Sequence, residues 1–458
     1  MRIYQILSLT AATSLLPLTV QAGATKPNIV VILADDLGYG DLGCYGAKYA
    51  TPVIDKMAAE GFRATDFFVP ANVCSPSRAA LLTGRYPMRN GHPFYLNESS
   101  NYGLDPEEVT IPELLKPAGY RTLAIGKWHL GLEFDGSHPL DVGFDEFLGL
   151  RSNYGSKKSK KNPEGNADTL FRGREAEVEK VKFQTLTTSF TDEVVDFISD
   201  ESDQPFFIYM AHVIAHTPIL PSKQFKGVSK QGVYGDYVSE LDHSVGRVLK
   251  AIKDAGQEEN TLVVFLADNG ATPSGSNAAL SGGKYNTMEG GHRVPGIFRW
   301  PGHIPAGQVS DTTISSMDLL PLFCDLAGVE VPSDRKLDGS NIIGILKGET
   351  KESTHEILYY YNGLNLQAVR KGKWKLHLPR TEKDQPYWAN AKSGRRFITL
   401  EEPFLVDLYS DIGEDKNVAS QNPEVVAMLL KEADRIRFEL GDVGKTGSDQ
   451  RLGWPPVE

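Results

Sequence analysis

Three short runs of this chain are almost unbrokenly apolar: Asn28-Ile-Val-Val-Ile-Leu33, Pro205-Phe-Phe-Ile-Tyr-Met210 and Thr261-Leu-Val-Val-Phe-Leu266. They are rich in β-branched and aromatic residues and lack the alternation of a half-wetted strand, so they read as strands buried on both faces. Helix-like stretches lie between them, at Pro52 to Gly61, Ile111 to Gly119, Ser189 to Ser199 and Tyr234 to Ala255. Apolar strands alternating with helices predict an α/β fold with a mostly parallel central sheet flanked by helices. Each run ends in polar residues: Asp35-Asp36, His212 with His216 close behind, and Asp268-Asn269. Ligands of such sheets sit beyond the carboxyl ends of the strands, so these polar residues are predicted to converge.

After about residue 350 the pattern changes. Ile357 to Tyr361, Leu366 to Arg370, Trp374 to Leu378 and Phe404 to Tyr409 are short runs joined by turns. Pro423 to Leu440 then reads as an amphipathic helix with Val426, Met428, Leu429, Ala433 and Ile436 near one face. At 458 residues the chain is too long for one small core. The expected division is residues 23–350 as the large domain and 351–458 as a smaller α+β subdomain containing an antiparallel sheet.

Residues 1–22 read as a secretory signal. Arg2 gives a positive start, Ile6 to Val20 an apolar stretch, and Val20-Gln21-Ala22 a small-residue cleavage site. Thr10, Thr13, Ser14 and Pro17 interrupt that stretch, and no other run approaches the ~20 apolar residues of a membrane span. The mature protein is expected to be exported, either periplasmic or secreted. A net charge of -11 argues against a nucleic-acid partner. An anionic ligand would need a local positive pocket.

Cys44, Cys74 and Cys324 are too few and too scattered for a disulfide framework. Cys74-Ser-Pro-Ser-Arg78 is followed by Ala79-Ala-Leu-Leu-Thr-Gly84. Ser75 suits a helix cap, Pro76 a first turn and Gly84 a stop, which places Cys74 at a helix N-terminus favourable to anions. From the residues alone this is either a thiol activated beside Arg78 or a buried structural cysteine. Asp35, Asp36, Asp268 and Asn269 form a hard oxygen set, suited to calcium or magnesium rather than a soft metal.

Cys-x-Pro-x-Arg with the following Leu-Leu-Thr-Gly resembles the signature of the type I, formylglycine-dependent sulfatases of the alkaline phosphatase superfamily. Gly119-Tyr-Arg-Thr-Leu-Ala-Ile-Gly-Lys-Trp-His129 resembles that family's second signature. Asp35-Asp36, Asp268-Asn269 and Lys284 match further positions. The resemblance implies that a formylglycine-generating maturation enzyme oxidises Cys74 to Cα-formylglycine, whose hydrate is the nucleophile. It implies one Ca²⁺ held by Asp35, Asp36, residue 74, Asp268 and Asn269, with magnesium left open. Arg78, Lys127 and Lys284 would stabilise the sulfuryl group. His129 would take a proton from the hydrate, and His216 would contact sulfate and protonate the leaving alcohol. His212 is either a pocket residue or a hydrogen-bonded core histidine.

At Gly149-Leu-Arg-Ser-Asn153 many relatives carry Tyr-Ser-Asn, and here Arg151 replaces the aromatic residue. Arg151, Ser152 and Asn153 are therefore placed on the substrate side. Lys157, Lys158, Lys160 and Lys161 follow as a basic exception in an acidic chain, read either as a solvated loop or as a collector of polyanionic substrate. Glu289-Gly-Gly-His-Arg-Val-Pro295 resembles carbohydrate-active members. The expected partner is a sulfated oligosaccharide or polysaccharide, namely a sulfated galactan such as carrageenan or a galactosamine-6-sulfate glycan. The rivals are a phosphonate or phosphate ester hydrolase of the same superfamily and a non-catalytic relative that binds sulfated glycans. The presence of Cys74, Arg78, Lys127 and His129 together argues against the second rival.

Overall fold

The computed structural model describes residues 26–97, 100–132, 136–152, 169–386 and 399–451. The expected signal segment, Asn153 and the lysine run lie outside the described residues. Eleven strands form the larger sheet: β1 Asn28–Ala34, β2 Phe62–Phe68, β3 Arg121–Lys127, β4 Glu146–Leu150, β5 Leu170–Arg172, β6 Glu175–Val178, β7 Phe206–Ala211, β8 Thr261–Ala267, β9 Arg293–Arg299, β10 Gln308–Ser310 and β11 Ile314–Ser315. Their order is β10-β2-β9-β8-β1-β7-β3-β4-β5-β6, with β11 also on β2. The five central neighbours β8, β1, β7, β3 and β4 are parallel, and β9 runs antiparallel between β8 and β2.

The three apolar runs became β1, β7 and β8, and every residue of these strands is buried. Successive side chains of a strand point to opposite faces. Phe206 meets Phe197 of the helix Phe183–Ser199, ring centroids 6.3 Å apart, while Phe207 meets Phe323 of the helix Leu319–Ala327 at 6.0 Å. One strand thus packs helices on both faces, which explains its unbroken hydrophobicity. The helix Gly232–Asp254 also presents Asp242, whose carboxylate accepts the Val53 and Ile54 amides at the start of helix Pro52–Ala59. That carboxylate satisfies helix-end donors that the local sequence leaves without a side-chain cap.

The C-terminal runs form a separate antiparallel sheet, β12 Leu358–Asn362, β13 Asn365–Lys371, β14 Trp374–His377 and β15 Phe404–Asp407, in sequence order. The helix Pro423–Leu440 buries Leu429, Ala433, Ile436 and Leu440, while Val426 and Met428 are only partly covered. Phe68, Ala80, Tyr86, Met88 and Met317 share an apolar cluster with this sheet, so the smaller sheet packs directly on the larger layer.

His355 lies in the connection to β12, and its Nε2 reaches both Asp318 oxygens at 2.8 and 2.9 Å. The same carboxylate accepts the Ser315 and Ser340 amides. Burial pushes the His355 pKa down, but the Asp318 carboxylate outweighs it and raises the value above the ordinary one. A raised histidine pKa stabilises the fold fully below the unfolded value of about 6.5, and that share is lost as pH rises through the folded value. His355→Gln should therefore lower the melting temperature at pH 6. The gap to the wild type should narrow at alkaline pH, as followed by thermal melts across pH.

Candidate active site

The register of the central strands assembles the site. Ala34 of β1 pairs with Ala267 of β8, so Asp35-Asp36 and Asp268-Asn269 emerge side by side. Leu33 pairs with Ala211 of β7, and Ala211 with Gly126 of β3, which brings His212 and Lys127 to the same edge. Backbone bonds extend the ladder past the strand ends: Asp268 N donates to Ala34 O at 3.0 Å, and His129 N to Arg151 O at 2.9 Å.

Cys74 is the first residue of a fully buried helix, Cys74–Thr83. The N-cap is Val73, not Ser75 as the sequence suggested; the Ser75 hydroxyl instead accepts the Leu96 amide at 3.1 Å. Gly84 closes the helix in the left-handed region at φ 66°, as expected. The Cys74 Sγ lies 3.5 Å from Asp35 Oδ1, 3.8 Å from Asp36 Oδ1 and 3.2 Å from Lys284 Nζ.

Each carboxylate has its own cation. Lys127 Nζ donates to Asp35 at 2.7 Å and Lys284 Nζ to Asp36 at 2.8 Å. Arg78 donates through Nε and Nη2 to Asp268 Oδ2 at 2.9 and 2.7 Å, and through Nη1 to the Lys127 carbonyl at 2.8 Å. Burial pushes the Asp35 and Asp36 pKa values up, but Lys127 on one and Lys284 on the other hold both below the usual carboxylate range. Burial, with Asp35 and Asp36 close by, pushes Asp268 up to about 6 despite Arg78.

The cysteine itself is not activated. Burial pushes its thiol up to about 12, against the pull of Lys127 and Lys284. Arg78 spends its donors on Asp268 and a carbonyl rather than on the sulfur, so the reading of a thiol activated by Arg78 does not hold. A buried thiol of this kind is a poor nucleophile.

The oxygen set fits a hard divalent cation. Ligand atoms of Asp35, Asp36, Cys74 and Asp268 all lie within 4.8 Å of one another. Asn269 donates Nδ2 to Asp36 at 2.9 Å, while its buried Oδ1 has no hydrogen-bond partner among the described residues. An amide oxygen without a partner beside three crowded carboxylates suits a calcium- or magnesium-type ion.

The histidines divide. His129 donates Nε2–H to the Leu96 carbonyl at 3.0 Å, a tautomer assigned from that partner, which makes Nδ1 its basic nitrogen. Burial, then Lys127 and Arg78, holds its pKa well down, so it is neutral. His216 places Nε2 3.7 Å from Asp36 Oδ2 and donates Nδ1–H to the Thr217 carbonyl at 2.6 Å. His212 is fully buried, and its Nε2 reaches Ser244 Oγ at 3.4 Å in the packing between sheet and helix, outside the carboxylate cluster. Arg151 is half-buried and Ser152 buried beside the His129 backbone.

Two residues went unnoticed in the sequence: Leu96, through its carbonyl, and Tyr285, immediately after Lys284. Asp36, His129 and Tyr285 all take positive φ, at 58°, 59° and 72°. Such backbone in non-glycine residues collects at functional sites, but no composition signal announces it.

Residues 27–329 match the Sulfatase family, and residues 353–454 match the C-terminal region of aryl-sulfatase. The chain is 43% identical to mouse (Mus musculus) N-acetylgalactosamine-6-sulfatase, over 78% of this chain and 73% of that protein. It is 38% identical to human (Homo sapiens) arylsulfatase A, over 94% of this chain and 91% of that protein. The crystal structure of Ps i-CgsB in complex with k-i-k-neocarrahexaose superposes with a TM-score of 0.80 at 30% identity, covering 94% and 95% of the two chains. Among the described residues no helix is long and apolar enough to cross a membrane. Strand-end carboxylates, paired cations and a helix-borne cysteine are thus joined by a family match over most of the chain, which belongs to the sulfatase family of the alkaline phosphatase superfamily and is a hydrolase of sulfate esters.

Proposed function

We propose that this protein is an exported enzyme that removes sulfate from a sulfated carbohydrate, using formylglycine made from Cys74 by a maturation enzyme. Residues 23–350 would form the catalytic domain and 351–458 the C-terminal subdomain, with residues 1–22 as the export signal. The observation that carries the reading is the grouping of Arg78, Lys127 and Lys284, with three carboxylates, around a buried cysteine whose thiol is not activated. Sulfated galactan or galactosamine-6-sulfate glycan is favoured by two relatives, one named for N-acetylgalactosamine 6-sulfate and one holding neocarrahexaose.

Asp35, Asp36, Asp268, Asn269 and residue 74 would hold one divalent cation, calcium on the chemistry of the donors, which polarises a bound anionic oxygen when present. Oxidation of Cys74 supplies an oxygen nucleophile where the buried thiol cannot serve. Lys127 and Lys284 lie on either side of the cysteine's carboxylate neighbours and neutralise charge that develops on the sulfuryl group. His129 accepts a proton at Nδ1, because Leu96 occupies Nε2. His216 can give one to the leaving oxygen from Nε2 only when doubly protonated, and burial keeps its pKa down at about 4. Arg151 and Ser152 border His129 and would face the substrate.

Three measurements test this. Mass spectrometry of the tryptic peptide containing residue 74 should show formylglycine in active protein, and Cys74→Ala should lower kcat by on the order of 10⁵-fold. Full activity with an unmodified thiol would overturn the assignment. Asp268→Asn should reduce bound metal from about one ion per chain to nearly none, read by elemental analysis independently of turnover; unchanged metal content would remove Asp268 from the ligand set. Sulfate release from N-acetylgalactosamine 6-sulfate and from carrageenan oligosaccharides should exceed hydrolysis of a matched phosphonate monoester. The reverse order would favour the phosphonate hydrolase.

A further inference from the structure

Tyr285 combines four features that the catalytic chemistry leaves unused. It is a bulky residue held at φ 72°, a left-handed conformation costly for such a side chain. The protein enforces this from both sides: Tyr285 N donates to the Asn72 carbonyl at 3.0 Å, and Tyr285 O accepts from Asn362 Nδ2 at 3.3 Å. Its ring is half-buried, with the Lys284 ammonium 5.4 Å from the ring centroid. That ammonium is itself 3.2 Å from Cys74 Sγ, so a single cation separates the ring from the reacting position. The phenol hydroxyl makes no hydrogen bond to any described residue, although burial and the nearby charges of Lys284, Asp36 and Cys74 act on it.

A folding role would not need this arrangement, since glycine would fit φ 72° without strain. The strained backbone leaves a half-buried aromatic ring beside the Lys284 ammonium. We infer that Tyr285 is a specificity-determining residue, a platform on which the sugar ring bearing the sulfate ester stacks while Lys284 holds the sulfate. This rests on the glycan reading above and adds to it a pyranose ring contact next to the ester. Aromatic faces pack well against the C–H faces of sugar rings, and their negative quadrupole tolerates the adjacent ammonium.

The test compares wild type with Tyr285→Phe, Tyr285→Gly and Tyr285→Asn, the last two because both residues accept left-handed backbone. The substrates are N-acetylgalactosamine 6-sulfate and a carrageenan oligosaccharide, with inorganic sulfate as a competitive inhibitor that reports the anion pocket alone. Tyr285→Gly and Tyr285→Asn should raise KM for the sugars about fivefold to tenfold, with kcat within about twofold. Inhibition by inorganic sulfate should be unchanged, the melting temperature should not fall in Tyr285→Gly, and Tyr285→Phe should keep most of the wild-type KM. Unchanged KM in both small variants would overturn the platform. So would sulfate inhibition weakening in step with KM, which would mean that the Lys284 loop had merely been disturbed. A wild type that released no sulfate from either sugar would instead sink the glycan reading itself.

Discussion

Three carboxylates crowded at the ends of two adjoining strands are the constraint on which this structure turns. Ligand atoms within 4.8 Å repel by roughly 3 kcal/mol per pair at an effective dielectric constant near 20. No solvent relieves them, because Asp35, Asp36 and Asp268 are all buried. The protein answers with cations from three separate elements: Arg78 from the Cys74–Thr83 helix, Lys127 from the end of β3 and Lys284 from the loop after Asn269. Each cation reaches its carboxylate only if its element is docked. The site is therefore complete only when all three elements are docked.

The C-terminal sheet takes part in that event. Tyr361 of β12 bridges to Ala71, three residues before Cys74, while Asn362 bonds the Tyr285 carbonyl and Gln367 bonds Thr287. A second buried network completes the tether. Glu289 accepts from Tyr360 at 2.7 Å and Lys375 at 2.9 Å, and its amide donates to Glu414. Lys375 lies between Glu289 and Glu414, and Arg370 pairs with both Glu289 and Asp66. Removing one member of so buried a set leaves an uncompensated charge, typically a loss of about 3–5 kcal/mol. The segment leading into the Cys74–Thr83 helix and the loop bearing residue 284 are thus fixed by the smaller sheet, and the Glu289-Gly-Gly-His-Arg segment is where the two layers are pinned.

What the sequence disclosed and what it hid have physical causes. The runs at β1, β7 and β8 were legible because burial on both faces leaves no polar interruption, and the convergence of their ends followed from parallel topology. β2 was not legible, since Phe62–Phe68 contains Arg63 and Asp66. The buried Asp66 is tolerated because partners distant in sequence close on it: Arg370, about three hundred positions away, with Arg293 and the Thr313 hydroxyl. Ser75 misled because a serine before a proline is an ordinary cap signal, and only the fold reveals that its hydroxyl serves Leu96 instead. The Cys74 thiol misled in the same way: Arg78 is near in sequence, but Asp268 is its better partner in space. Helix ends drifted too, the Ser189–Ser199 expectation beginning at Phe183.

A chain of net charge -11 must still draw in an anion. Arg78, Lys127 and Lys284 cancel Asp35, Asp36 and Asp268 one for one, so the side chains alone leave the pocket near neutrality. Its sign is then decided by whatever else the carboxylates hold. Asp35, Asp36, Asp268 and Asn269 would hold a divalent cation there, which would turn the balance positive in a buried, weakly screened setting. The net negative charge of the chain opposes anions at long range. An acidic protein with a neutral but polarisable pocket can thus be selective for an ester that fits, because attraction begins only where the walls exclude water.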